Sequence, residues 1–164
     1  MLNNDDYNGI LFLSNCERGY YMEKYDLSPY FTTFKIALYM AEERYNEHKK
    51  EFDKMDTDGD GIVSYKLNSI VADDLVIKGK EKELFDFLNS LDYEVIKTLQ
   101  VIKYIGRDSF CAEEDGTYNY EKSRNYFDRQ GWNQDKSIEV HQMVEKIHLA
   151  DYLKEGFRKL NITI

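Results

Sequence analysis

Tyr93-Glu-Val-Ile-Lys-Thr-Leu-Gln-Val-Ile-Lys-Tyr-Ile105 is the stretch on which the fold turns. Val95, Ile96, Leu99, Val101, Ile102, Tyr104 and Ile105 cover most of a helical circumference. A helix apolar nearly all round must be surrounded by other elements. The stretch therefore predicts a central, fully packed helix at 93–105, with Gly106 ending it in the C′ position. Arg107, just past that end, is expected to reach the last carbonyls or an acid of the closing helix such as Asp151.

The same periodicity extends in both directions. Upstream, Leu84, Phe87, Leu88 and Leu91 fall at i, i+3, i+4 and i+7, and Asn89–Asp92 marks a turn with a fresh cap. Val63, Leu67, Ile70 and Val71 suggest a short helix that stops near Lys78-Gly79. Downstream, 107–117 reads as loop and Asn119–Gln130 as a polar helix closed by Gly131-Trp132. Val140, Met143, Val144 and Ile147 form one stripe. Leu149, Tyr152, Leu153, Phe157 and Leu160 form another, out of phase across Ile147-His148-Leu149. Either one helix kinks there or two helices meet.

Further upstream, Ser28-Pro29 is a helix-start pair, a hydroxyl cap followed by a residue whose missing N–H costs nothing. Leu27, Phe31, Phe34, Leu38, Ala41, Tyr45, His48, Phe52 and Met55 then alternate in steps of four and three. This seam predicts one helix over about 29–54, roughly 40 Å long. Its mixed composition favours packing on the central helix of a monomer over a dimeric coiled coil. His48 reads as a packed or half-exposed side chain. Residues 1–26 show no period and read as an irregular arm, with one short helix around Ile10–Asn15. The prediction is an all-α, single-domain helical bundle over 27–164.

Composition narrows the function. The 164-residue chain is 42% hydrophobic, with 14 Tyr and 9 Phe, one Pro and nine Gly, which suits long helices around a real core. Its 22 basic and 31 acidic residues leave a net charge of −9. That field repels phosphate backbones, so nucleic acid is not an expected partner, while cations or a basic protein surface are. Cys16 and Cys111 are too few for a disulfide framework and read as free thiols in a reducing compartment. The amino end lacks positive charge, and Ile10–Leu13 is too short for a signal peptide or a membrane span. The expectation is a cytoplasmic protein.

The one motif with metal chemistry is Asp56-Thr-Asp-Gly-Asp-Gly-Ile-Val-Ser-Tyr-Lys-Leu67. Asp56, Asp58 and Asp60 stand at positions 1, 3 and 5 of an EF-hand loop, Gly61 at 6, the Ile62 carbonyl at 7 and Ser64 at 9. Position 12, which should supply a bidentate Glu, is Leu67. Asp73 and Asp74 lie ~9–10 Å further along a helix and do not replace it locally. The loop therefore predicts weakly bound calcium, with a millimolar dissociation constant, or an acidic turn between helices. Glu113–Glu121 also carries a Gly after an Asp, but Cys111 would take its first ligand position. His141 and His148 are seven apart, too far to share one zinc ion. No P-loop, dinucleotide fingerprint, nucleophile elbow or zincin motif occurs.

Three segments resemble an uncharacterised bacterial family, domain of unknown function 3775. Leu27–Ile36 continuing to Glu51-Phe-Asp53 resembles its opening helix. Glu83–Asp92 running through Ile105-Gly-Arg-Asp-Ser-Phe110 resembles its central helix, with Asp108 and Ser109 where the family has Gly and Asp, and Tyr104 where it has Trp. Leu149-Ala-Asp-Tyr-Leu-Lys-Glu-Gly-Phe157 is similar to its closing motif. The resemblance implies an all-α fold and no assigned reaction. It also implies that the stretch after the first helix is acidic and variable rather than a calcium loop. Three functions stand on the sequence: a protein-interaction or regulatory module for a partner with a basic surface, a weak calcium module through Asp56–Leu67, and an enzyme with an unrecognised carboxylate site.

Overall fold

In the computed structural model the described residues are 26–55, 77–108 and 112–164. They form six α-helices: α1 Phe31–Met55, α2 Gly79–Ser90, α3 Tyr93–Arg107, α4 Tyr120–Gln130, α5 Lys136–Val144 and α6 Leu149–Lys159. A 3-10 turn at Ser28–Tyr30 leads into α1. Among the described residues there is no strand, only an isolated bridge between Ala112 and Tyr118. The all-α bundle follows the apolar periodicity. The break at 147–149 is resolved as two helices, joined by turn hydrogen bonds from Lys146 N to Met143 O (3.1 Å) and from Leu149 N to Lys146 O (3.0 Å). Among the described residues no helix is long and apolar enough to cross a membrane.

Five helices close a ring. α1 packs on α2, α2 on α5, α5 on α3, α3 on α6, and α6 on α1; α4 lies against α3. Phe34 and Ala41 of α1, Leu84 and Leu88 of α2, Leu99 and Ile102 of α3, Met143 of α5 and Leu153 of α6 meet inside. α3 has three neighbours, and this explains its apolar circumference: from Val95 to Ile105 only Lys97 and Tyr104 keep appreciable exposure. Leu99 is fully buried. Leu99→Ala should cost about 3 kcal/mol through lost transfer energy and the cavity it leaves. A urea midpoint shift worth less than about 1 kcal/mol would contradict its central placement.

Three local expectations are corrected. The cap before α1 is not Ser28: Leu27 stands at that position, and the Ser28 N–H donates to the Asp26 carboxylate at 2.9 Å. The buried stripe of α1 is Phe34, Ala37, Ala41 and Arg44, while Leu38, Tyr45 and His48 are half-buried. The helix is rotated so that the Ala37–Arg44 row faces inward. Its chief partners are α2 and α6 rather than α3, with Phe34 set against Phe157 of α6 at a ring separation of 5.5 Å.

Gly106 does not terminate α3, which continues through Arg107. A Cβ at Gly106 would lie 1.8 Å from the Tyr152 carbonyl oxygen, and one at Gly156 would lie 2.2 Å from the Ile102 carbonyl oxygen. The two glycines let α3 and α6 touch backbone to backbone. The exposed α3 carbonyls are met from α6 instead: Lys159 Nζ donates to Ile105 O at 2.8 Å and to Gly106 O at 3.4 Å. Arg107 pairs with Asp108 at 2.7 Å, not with Asp151. That contact raises the Arg107 pKa above its ordinary value.

Candidate functional site

A cleft opens where the second half of α1 meets the start of α2. It is lined by Arg44, Glu47, His48, Glu51, Lys78, Gly79 and Glu81, and measures about 440 Å³. Its wall is fixed by a contact distant in sequence: the Glu47 carboxylate accepts the Lys80 N–H at 2.7 Å and so caps α2 from α1. Gly79 permits this in two ways. Its φ is +59°, and a Cβ there would sit 2.7 Å from Glu47 Oε2. Gly79 therefore opens α2; the short helix expected over Val63–Val71 lies outside the described residues.

Arg44 forms the floor of this cleft and is only 6% exposed. Its Nε and Nη1 are buried with no hydrogen-bond partner. Nη2 stands 3.7 Å from the Glu81 carboxylate, beyond a normal hydrogen bond. Burial lowers the Arg44 pKa, and Glu81 opposes the shift only in part. A buried guanidinium with open donors is costly, because desolvation of the charge is not repaid.

A second polar group crosses the interior. Lys103, 1% exposed, donates from Nζ to Gln100 Oε1 at 2.5 Å and lies 4.0 Å from the Tyr104 ring centre. Gln100 Nε2 donates to the Glu139 carboxylate at 2.8 Å and to the Glu139 carbonyl at 3.0 Å. The other Glu139 oxygen accepts from Asn133 Nδ2 at 2.6 Å, and the Tyr93 hydroxyl donates to Asn133 O at 2.5 Å. Gln100 thus relays between the ammonium and the carboxylate of Glu139. Burial, followed by the positive charges of Arg107 and Lys146, lowers the Lys103 pKa to about 7. A neutral amine at that pH has base character. Lys103 is nonetheless sealed, so no substrate reaches Nζ without opening the bundle.

The sequence-derived candidates are placed as follows. Asp56, Asp58, Asp60, Ile62, Ser64 and Leu67 lie outside the described residues, as do Cys16 and Cys111. The Glu113–Glu121 stretch folds as a turn whose Asp115 carboxylate accepts the Thr117 N–H (2.9 Å) and hydroxyl (2.7 Å), while the Asn119 side chain caps α4. His141 packs against Phe85 with ring centres 4.5 Å apart and the planes tilted by 42°, and His148 contacts Asp151 at 3.2 Å; they sit on separate elements. His48 lines the Arg44 cleft. Among the described residues no three His, Cys, Asp or Glu side chains are grouped to hold a metal ion.

Arg44, Gln100, Lys103 and Glu139 are absent from the sequence-derived candidates. The signal for two of them was the polar pair at 100 and 103, one turn apart within the apolar run Leu99–Ile105. The signal for Arg44 was its place three residues after Ala41 and seven after Ala37, on a row of small residues. The chain matches no protein-family model, no curated protein and no solved structure.

Proposed function

We propose that the chain is a protein-interaction or regulatory binding module, acting as a cytoplasmic monomer on a partner with a basic surface. The observation that carries this reading is the outward face of α1. Ile36 and Tyr39 are 42% and 61% exposed there, three residues apart and so neighbours on the helix surface. An exposed aliphatic–aromatic pair is the composition of an interface anchor, since Tyr supplies a large contact area at low entropic cost. The net charge of −9 supports a basic partner through steering and rejection of acidic surfaces. Asp5, Asp6, Asp56, Asp58 and Asp60 contribute to that charge from segments on either side of α1.

Capture from an extract of the native host tests this. A basic protein should be retained at low ionic strength and released near 0.5 M salt, where the Debye length falls to about 4 Å. The double variant Ile36→Ser/Tyr39→Ser should lose capture while its stability changes by less than about 1 kcal/mol, as for surface substitutions. Full retention by that variant would defeat the proposal, as would a partner held without regard to salt. An obligate dimer in sedimentation equilibrium would defeat its monomeric part.

A further inference from the structure

The Arg44 cleft brings together features that the protein-interaction reading does not use. We propose that it is a binding site for a small zwitterion of the amino-acid class, with the ligand carboxylate on Arg44 and its ammonium among Glu47, Glu51 and Glu81. The first support is the unmet capacity of Arg44. Its side chain is 7% exposed, two of its three nitrogens lack an acceptor, and it sits on the floor of a cleft large enough for a small molecule. Glu81, 3.7 Å from Nη2 and 39% exposed, can turn outward and uncover the Nη1–Nη2 edge, which then donates to a carboxylate in the planar two-pronged geometry that guanidinium favours.

The second support is the charge pattern of the walls. Arg44, His48 and Lys78 line the same opening as Glu47, Glu51 and Glu81. A phosphate ester would meet three carboxylates, and a divalent cation would meet a buried guanidinium. A simple carboxylate would answer Arg44 but leave Glu81 displaced and unpaired. A ligand bearing one charge of each sign answers both. Glu47 is already fixed by the Lys80 N–H, so Glu81 and Glu51 are the freer of the three for an ammonium group.

Calorimetric titration of the full chain tests this with glycine, L-glutamate and L-lysine as zwitterions, acetate and methylammonium as half-ligands, and inorganic phosphate. At least one amino acid should bind saturably and about tenfold or more tighter than acetate, methylammonium or phosphate, a difference well resolved by titration. Arg44→Met should abolish binding yet fold at least as stably as the parent, because it removes a buried, incompletely paired charge. Arg44→Lys should weaken binding about tenfold by losing the fork while keeping the charge. Glu81→Gln should weaken amino-acid binding without weakening acetate. Undiminished binding in Arg44→Met, preference for phosphate, or no saturable binding below about 10 mM of any amino acid would overturn the proposal. These variants leave Ile36 and Tyr39 intact, so failure here is distinct from failure of the protein-interaction reading.

Discussion

Gly106→Ala should destabilise the bundle by at least about 3 kcal/mol, enough to lower the melting temperature by roughly 6–12 °C for a chain of this size. The sign is informative because local propensity predicts the opposite. Within a helix, Ala is favoured over Gly by about 1 kcal/mol. Here the added Cβ would lie 1.8 Å from the Tyr152 carbonyl oxygen and 2.8 Å from the Gly156 nitrogen. Both obstacles are backbone, so no side-chain rotation relieves them, and α6 must move away from α3. That movement loosens Leu99 and Ile102 against Leu153 and Phe157, all buried in the same core. The loss therefore combines steric strain with cavities between helices. Gly156→Ala, whose Cβ would lie 2.2 Å from the Ile102 carbonyl oxygen, should behave alike. A thermal melt of Gly106→Ala at or above the parent temperature would show that the helices tolerate separation at this crossing.

The role of Gly106 is set by two segments together. A glycine near the end of an apolar helix serves equally as a C′ residue or as a point of backbone contact. The discriminating information lay fifty residues away, at Gly156 in the closing helix. Burial of α3 was legible because it depends on the apolar circumference alone, and the α5–α6 break was legible as a change of phase. The orientation of α1 was less so. The alternating seam from Leu27 to Met55 located the helix, but which row faces inward was set by α2 and α6. Phe157 draws Phe34, while Glu47 and Gly79 draw the Arg44 side toward α2. Arg44 and Lys103 are not legible in the sequence for one physical reason: long cationic side chains on apolar faces commonly carry their charge out to water. Neither does so here, because the surrounding helices close over them.

The cost of that enclosure should appear as pH dependence. The unfolded Lys103 amine takes its proton near pH 10.5, the folded one near pH 7. Above the first value the amine is neutral in both states and burial exacts no charge penalty. Between the two, the unfolded chain binds a proton that the folded chain does not, so stability falls as pH falls, by up to about 1.4 kcal/mol per unit. Below pH 7 both states are protonated, and the full penalty, roughly 3–5 kcal/mol, persists without further slope. Lys103→Met keeps the volume and removes the charge. It also leaves Gln100 Oε1 without its donor, at about 1–3 kcal/mol, but that loss is the same at every pH. The slope is therefore a cleaner readout than the absolute stability. Arg107 and Lys146, which help to depress the amine, remain in the variant. In urea unfolding at pH 7 and pH 9, the stability of Lys103→Met relative to the parent should be greater at pH 7 by about 2 kcal/mol. Equal differences at the two pH values would mean that the folded chain keeps Lys103 protonated throughout, and that the Gln100–Glu139 relay compensates the buried ammonium after all.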